Sequence, residues 1–443
     1  MATLSTGRAI LFARQPSSVK QPRRNVGANM AFRDRVASST MVVGDLPKRL
    51  QARAAASRGT SAIWTVAAIV AVLFAGSTLL TPLYVIYKQR FGFSQITLTL
   101  IYSVYVVGNL VALLLFGRVS DKLGRRSGAL AAIVIAIGST IVFVFAGSTV
   151  ALYLGRFLSG LALGVGSGTA TAWLTELVAP EDSARSATIA TTSNFVGLGV
   201  GSLLSGLLAQ YLPWPLHLCF IAYLIALLAI GLASWRVHET VSQPVRSLRQ
   251  IPLRPQLSVP SNVRSRFIAP ATAGFGAMAL VGFYAAITPT LLAERLHVTS
   301  HAVAGAIFFE LAAVVAGIIL LTRHLPSHRA MRWGAGLMIP SLALLIAAEI
   351  MSSTIILLIA TAVCGAAAGL GYRGSMQVVN EIAPADRRAA VMSSYFVCVF
   401  CGNALPVIGV GVVSTLTSSL TATLVFAATV SLFALIALRL ERR

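Results

Sequence analysis

Three ionisable side chains stand inside long apolar stretches of the sequence: Arg156, Glu310 and Arg373. Such groups are costly to bury away from water, so each is a candidate for chemistry before it is a candidate for packing. A carboxyl group in an apolar environment can take up and release a proton near neutral pH. We therefore predict that Glu310 exchanges protons, and Arg156 could bias the pKa of a nearby group.

Each of these residues also has an alternative interpretation. Arg156 and Arg373 could bind an anion, because a guanidinium group presents several fixed donors to a carboxylate. Arg156 could instead donate hydrogen bonds to backbone carbonyl groups, and Glu310 could be an ionic partner of Arg373. We predict that Arg373 contributes to a binding cavity.

Tyrosine and asparagine side chains in the same apolar stretches could line that cavity. Tyr102, Tyr105 and Asn109 follow the spacing i, i+3, i+7, which places them on one face of a helix. A cavity that mixes aromatic rings with a few polar groups suits amphiphilic organic compounds. The remaining predicted members of this cavity are Asn194, Tyr284 and Asn403.

The elements that carry these residues must be membrane-spanning helices. Of the 443 residues, 56% are hydrophobic and only 11% are charged, whereas a soluble domain carries about a quarter charged residues. This composition excludes a soluble enzyme, a disordered protein and a disulfide scaffold. The formal net charge of +22 comes from basic residues between apolar blocks, which is typical of topology signals and not of nucleic-acid binding.

Twelve apolar stretches have the length needed to cross a bilayer. Basic residues concentrate in alternate connections, and the other connections carry only Lys88, Arg90 and Arg295. The positive-inside rule then places both termini in the cytoplasm, in agreement with an even number of spans. The stretches are 63–87, 95–116, 128–147, 150–178, 187–211, 215–235, 267–292, 300–321, 334–350, 354–380, 389–413 and 418–438.

Two polar segments divide the chain. Residues 1–60 are basic, and we predict a disordered cytoplasmic segment; their composition also fits an organellar transit peptide, and translation could begin at Met30 or Met41. Residues 237–266 carry several prolines and arginines and predict a cytoplasmic linker. The linker separates an N-terminal half, 61–236, from a C-terminal half, 267–443.

The two halves contain matching residues. Gly160, Gly164, Gly166 and Glu176 recur with constant spacing as Gly365, Gly369, Gly371 and Glu381. A parallel repeat of six spans is one of the two designs of alternating-access transporters. The predicted fold is an all-α membrane protein with twelve transmembrane helices in two pseudo-symmetric halves of six.

A loop between the second and third stretches has its own motif. Its sequence resembles GxxxD(R/K)xGR(R/K), the signature of the major facilitator superfamily, with every position filled: Gly117-Arg118-Val119-Ser120-Asp121-Lys122-Leu123-Gly124-Arg125-Arg126. The resemblance extends over residues 60–440 and implies secondary transport by a monomer in the bilayer. It also implies that Arg156 takes part in proton coupling together with Glu310.

The resemblance also implies that this loop is a conformational latch between the halves, with Asp121 reaching across to the second half in the outward-facing state. Glycines permit tight turns and close helix approach there. Acidic residues at the same face could pair with the two arginines. The predicted latch residues are Gly117, Asp121, Gly124, Arg125, Arg126, Glu176 and Asp182.

The favoured function is proton-coupled export of a small organic molecule through the prokaryotic cytoplasmic membrane. The alternatives are uptake of an organic anion or sugar, and a non-transporting receptor or scaffold on the same fold. Drug:proton antiporters carry a Gly-Pro pair in the fifth span, but Ser202 stands at that place here. None of the four lysines precedes Ser or Thr, so a Walker A loop is absent; we expect no enzyme activity, cofactor or metal, and no nucleic-acid partner.

Overall fold

The computed structural model describes residues 60–116, 119–178, 182–241 and 257–441. Gly117, nearly all of the predicted N-terminal segment and the middle of the predicted linker lie outside these ranges. The described residues form an all-helical structure without strands, with twelve helices that are long and apolar enough to span a membrane, as predicted. The spans are Thr60–Thr78, Gln95–Phe116, Arg125–Val144, Thr149–Leu177, Arg185–Tyr211, Pro215–Ser234, Ser261–Ala286, His301–Leu321, Ser327–Ile350, Thr354–Ile382, Arg388–Leu416 and Ser419–Glu441.

We number these helices span 1 to span 12, and call spans 1–6 the first half and spans 7–12 the second half. The ends of the helices fall on two faces of the molecule. The basic face carries Arg125, Arg185 and Arg388 at the starts of spans 3, 5 and 11. The Lys88 face carries the opposite helix ends, where Lys88 and Glu294 meet.

Spans 4 and 10 have the same length and the same cap, as the sequence repeat predicts. Thr149–Leu177 and Thr354–Ile382 each contain 29 residues. Ser148 and Ser353 precede them, and each side chain accepts a hydrogen bond from a backbone N–H of the first turn. Spans 5 and 11 also match, because the helices Ser183–Tyr211 and Arg388–Leu416 both contain 29 residues.

Four predicted boundaries were wrong. Span 1 ends at Thr78 and the chain continues through Pro82 into a short helix, Tyr84–Phe91, because a proline interrupts helical hydrogen bonding. Span 7 begins at Ser261 and not at residue 267, so its first turns lie in the predicted linker. It ends at Ala286, and a second short helix, Thr288–Glu294, follows with Pro289 in its first turn. Span 9 begins at Ser327 and not at residue 334, so its first two turns are polar and reach beyond the apolar part.

Glycines of the two halves face each other where span 5 packs on span 8. A methyl group added to Gly305 of span 8 would lie 2.6 Å from the carbonyl oxygen of Ser202 in span 5, and 3.3 Å from the Cα atom of Gly206. The glycine-rich stretch of span 5 therefore packs the two halves together near the Lys88 face.

Candidate functional site

A cavity of about 580 Å³ lies between the two halves. Five of the seven predicted cavity residues line it: Tyr102, Tyr105, Asn109, Asn194 and Asn403. Its walls extend from Ser77 and Tyr102 to Thr171, Ala187 and Ala389 near the basic-face ends of spans 4, 5 and 11. The cavity therefore reaches the basic face.

Sequence reasoning missed the aromatic and sulfur-containing part of the lining. Met392, Phe396 and Phe400 follow one another at four-residue intervals along span 11 and share the face that carries Asn403. This spacing is visible in the sequence and could have identified the stripe. Phe195, Tyr372 and Met376 complete the apolar wall.

Two of the predicted cavity residues lie elsewhere. Tyr284 is fully buried within the second half, where its hydroxyl lies near Thr361 and Cys364 of span 10. Arg373 donates to the carbonyl oxygens of Arg323 at 3.0 Å and Leu325 at 2.8 Å. Its guanidinium thus satisfies carbonyl groups beyond the end of span 8, where positive charge is favourable, and is not part of the cavity lining.

Polar contacts join the halves at the end of the cavity away from the basic face. The hydroxyls of Tyr102 and Tyr105 both donate to the Oδ1 atom of Asn403, at 2.9 and 2.6 Å. The Nδ2 atom of Asn403 donates to the carbonyl oxygen of Met278 at 3.2 Å. Asn403 is therefore a buried link from span 11 to spans 2 and 7.

Arg156 lies directly behind this link. Its guanidinium carbon is 4.7 Å from the ring centre of Tyr105, 5.5 Å from that of Tyr102 and 6.0 Å from that of Tyr84. Its Nη1 atom donates to the carbonyl oxygen of Ser77 at 2.7 Å, whereas its buried Nε atom makes no hydrogen bond. Within the described part of the chain, no carboxylate forms an ion pair with Arg156.

The described cavity lining contains no charged side chain. Arg156, which is 1% exposed, stands behind Tyr102 and Tyr105 and contributes a positive charge that aromatic rings and one carbonyl group stabilise. This arrangement favours negative charge in the cavity.

Glu310 does not lie with Arg156. It is on the same side of span 8 as Ala306 and Ala313, which are exposed, and opposite Phe308, which lines the cavity. Its Oε2 atom is buried without a hydrogen bond. The alternative interpretation, an ion pair between Glu310 and Arg373, is absent from the described contacts of both residues.

The loop between spans 2 and 3 forms a charged cluster within the first half. Arg125 is 7% exposed, donates to Asp121 and pairs with Glu176 at 2.5 Å. It also donates to Ser120 at 2.9 Å. The structure thus brings Asp121, Arg125 and Glu176 together in contacts made inside one half. The sequence named Glu176 as a possible partner of the arginines, but it placed the contact of Asp121 in the second half.

Glu239 completes this cluster and was missed from the sequence. Its carboxylate accepts hydrogen bonds from the backbone N–H groups of Arg125 at 2.8 Å and Arg126 at 2.9 Å, which open span 3. Gly124 has a positive φ of 99°, and a methyl group there would lie 2.7 Å from Glu239. Glycine therefore allows the carboxylate to cap the positive end of the helix.

Asp182 lies apart from this cluster. It pairs with Arg185 at 3.7 Å, one turn along the start of span 5, and both side chains are exposed. Arg126, in contrast, donates to the carbonyl oxygen of Val237 at 2.6 Å, which ties span 3 to the segment that follows span 6.

Ionic and polar contacts join the halves at the Lys88 face. The Nζ atom of Lys88 lies 2.8 Å from Glu294, and it also donates to Gln95 at 3.1 Å. The side chain of Gln210 accepts a hydrogen bond from the backbone N–H of His301 at 2.9 Å. Together with the glycine contact between spans 5 and 8, they close this side of the molecule.

A family model described as the Major Facilitator Superfamily matches residues 66–406. The chain belongs to this superfamily. It is therefore an integral membrane protein of a transporter family, in agreement with its twelve spans.

Two curated relatives in the superfamily are transport proteins. The chain is 29% identical over 175 residues to the 4-hydroxybenzoate transporter PcaK of Pseudomonas putida, covering 39% of this chain and 38% of that protein. It is 26% identical over 178 residues to the inner membrane transport protein YnfM of Escherichia coli (strain K12), covering 40% of each. The matches span about two fifths of the length of both relatives.

Solved superfamily structures share the fold over nearly their whole length. A bacterial homologue of the human lysosomal transporter Spinster, in an inward-facing and unoccupied conformation, aligns with a TM-score of 0.67 at 17% identity, over 87% of this chain and 98% of that one. The human organic anion transporter MFSD10 aligns with a TM-score of 0.63 at 16% identity, over 86% and 99%.

Proposed function

We propose that the protein is a secondary transporter that carries a small organic anion through the central cavity by alternating access. The observation that carries this proposal is the position of Arg156 beside a cavity with no charged side chain in its described lining. Arg156 is a buried positive charge that pairs with no carboxylate among the residues that the structure describes. A buried charge of this kind is costly unless an opposite charge arrives to compensate it. A substrate carboxylate would be that charge.

The expected size of this effect is large enough to select substrates. A carboxylate about 8 Å from the guanidinium would gain about 2 kcal/mol at an effective dielectric constant of 20. This corresponds to a preference of roughly thirtyfold over a neutral analogue of the same shape.

The shape and chemistry of the walls support an aromatic anion. Phe195, Tyr372, Phe396 and Phe400 offer ring surfaces, and Asn109 and Asn194 offer polar groups to ring substituents. The relative PcaK is named for 4-hydroxybenzoate, an aromatic carboxylate, and matches this chain over 175 residues. Both observations point to the same substrate class.

In the proposed alternating-access step, the cavity opens to the basic face in one state and to the Lys88 face in the other. The basic face, which the charge pattern predicts to be cytoplasmic, is the face that the cavity reaches, so this state would exchange substrate with the cytoplasm. In the opposite state we propose that Asp121 leaves Arg125 and contacts the second half, which would close the basic face.

Counterflow in proteoliposomes tests the substrate class without any ion gradient. Vesicles loaded with unlabelled 4-hydroxybenzoate should accumulate the labelled compound, whereas the neutral 4-hydroxybenzamide should compete at least tenfold less well. Arg156→Gln should abolish this preference, and Arg329→Gln, at an exposed position of span 9, should leave it intact. Equal competition by both compounds would contradict the anion proposal, and sided vesicles would give the direction of transport.

Proton coupling and export, as predicted from the sequence, form a second proposal. The buried Oε2 atom of Glu310 has no hydrogen-bond partner among the described residues. This oxygen atom is therefore free to bind a proton. An imposed pH gradient should then drive substrate movement in the parent protein. Glu310→Gln should remove this drive while counterflow at equal pH persists, and unchanged pH-driven transport would exclude Glu310 as the coupling group.

A further inference from the structure

Glu349 is the most deeply buried of the described carboxyl groups in the spans. It lies in the last turn of span 9, its side chain has no exposed surface, and neither carboxylate oxygen makes a hydrogen bond. The C-terminal end of a helix carries a partial negative charge, which disfavours an ionised carboxylate at this position. The one ionic contact of Glu349 within the described ranges is with Arg295, whose Nε atom lies 3.5 Å away.

Arg295 follows directly after Glu294, and the two residues contact different halves. Arg295 faces Glu349 in the second half, whereas Glu294 pairs with Lys88 of the first half at 2.8 Å. The short helix Thr288–Glu294 thus ends in two adjacent ion pairs, one inside the second half and one between the halves. Because Glu294 and Arg295 are adjacent in the chain, a change in one ion pair can affect the other.

Few other charged residues of the described chain lie near Glu349 and Arg295. Spans 7, 10 and 12 pack on span 9. Spans 10 and 12 begin at Thr354 and Ser419 in uncharged segments, and span 7 ends at Ala286 without a charged residue in its last turn. The short helix Thr288–Glu294 contributes Glu294, and Arg295 and His297 follow it. Tyr284 lies one turn before the short helix.

We propose that Glu349 is a proton-binding site that controls opening of the Lys88 face through partner exchange by Arg295. The proposal rests on the alternating-access function proposed above. When Glu349 binds a proton, its carboxylate becomes neutral and Arg295 loses its ionic partner. Arg295 then competes with Lys88 for the neighbouring Glu294, which weakens the ion pair between the halves.

The sign of the effect follows from this exchange. Proton uptake at Glu349 weakens the Lys88–Glu294 pair, so acidification should open the Lys88 face. Loss of the proton returns Arg295 to Glu349, and Lys88 again has Glu294 to itself. The charge pattern predicts that this face is outside the cell, so external protons would promote opening toward their own side.

Double electron–electron resonance on the parent protein measures this opening without substrate or membrane orientation. Spin labels are placed at Phe145→Cys and Leu416→Cys, exposed positions at the Lys88-face ends of spans 3 and 11, after replacement of the four native cysteines. A short distance reports the closed face and a long distance the open face. The long-distance fraction should rise severalfold as the pH is lowered.

Two substitutions should move the equilibrium in opposite directions, which a merely structural role would not do. Glu349→Gln mimics the neutral carboxyl group and frees Arg295, so the face should be open to the same extent at all pH values. Arg295→Gln removes the competitor for Glu294, so the face should stay closed at all pH values. Lys88→Gln should open the face independently of pH, and Asp386→Asn, at an exposed ion pair of the basic face, should retain the parent's response.

The outcomes separate this inference from the proposed function. If Glu349→Gln keeps the parent's pH response, or if Glu310→Gln removes it instead, Glu349 is not the controlling site. If Glu349→Gln and Arg295→Gln shift the distances in the same direction, partner exchange is wrong. A single distance in every variant, Lys88→Gln included, would overturn alternating access itself, whereas counterflow by the parent protein tests the substrate class independently.

Discussion

The hydroxyl of Tyr105 donates a hydrogen bond of 2.6 Å to the Oδ1 atom of Asn403, across the interface between the two halves. The same tyrosine ring covers the guanidinium of Arg156, 4.7 Å from the ring centre. A single side chain therefore contacts both the residue that links the halves and the charge that we propose attracts the substrate. Movement of the substrate toward Arg156 would displace the ring that helps to close the cavity.

Removal of this hydrogen bond should shift the molecule toward the state that is open at the Lys88 face. Tyr105→Phe keeps the ring over Arg156 and deletes one donor, so the closed state should lose about 1 kcal/mol, or roughly fivefold in population. Spin-label distances across the Lys88 face measure this shift. Tyr153→Phe, on a half-buried position of the same half, is the matched control, and an equal shift in that variant would contradict a specific role for Tyr105.

Asp121→Asn should leave the protein inserted and folded but reduce transport at least tenfold. In the state described, Asp121 contacts Arg125 within the first half. We propose that it must reach the second half once per cycle, which an amide would do with a weaker, uncharged contact. Counterflow and detergent-solubilised size-exclusion chromatography test the two parts of this expectation.

Asp182→Asn is the matched control for the Asp121 substitution. The sequence predicted Asp182 as a latch residue, but its described partner is Arg185 at 3.7 Å on the exposed start of span 5. A surface pair of this kind contributes little, so the variant should transport at close to the parent rate. A loss as large as that of Asp121→Asn would show that the exposed pair also belongs to the latch.

The sequence predicted features that depend on neighbours along the chain. Hydrophobic length identified twelve spans, and the spacing of Tyr102, Tyr105 and Asn109 identified one cavity-facing helix surface. It also named Glu176 as an acid available to Arg125 and Arg126, and the structure pairs Glu176 with Arg125.

Features that depend on the rotation and packing of distant helices were missed. Tyr284 and Asn403 are both polar groups within apolar spans, and only packing decides that the first is enclosed in its own half while the second faces span 2. Glu239 follows span 6 and caps span 3 because these helices pack side by side, a relationship that leaves no local pattern. Arg373 was assigned to the cavity because its charge is visible in the sequence, but its carbonyl partners are not.

Glu239→Ala should destabilise the start of span 3. The carboxylate accepts from the first two N–H groups of this helix, at 2.8 and 2.9 Å, and the loss of such a cap costs about 1 kcal/mol. Hydrogen exchange of a peptide containing Arg125 and Arg126, followed by mass spectrometry, should accelerate roughly fivefold. Glu239→Gln, which keeps one acceptor oxygen, should fall between the parent and the alanine variant; equal exchange in all three would mean that Glu239 does not cap the helix.

Gly305→Val should trap the protein with the Lys88 face open. The Cβ atom alone would lie 2.6 Å from the carbonyl oxygen of Ser202 and 3.3 Å from the Cα atom of Gly206, so spans 5 and 8 could no longer approach as they do here. Because both contacts involve backbone atoms, neither can move aside as a side chain would.

Gly317→Val tests whether this effect is specific to the interface. Gly317 is on the same span, and no atom lies within 4 Å of a Cβ atom placed there. The Gly305→Val variant should therefore bind a substrate offered from the basic face only weakly. It should also give the long distance between the spin labels at positions 145 and 416. The Gly317→Val variant should match the parent protein in both measurements. The short distance in Gly305→Val would mean that the halves close without the glycine contact between spans 5 and 8.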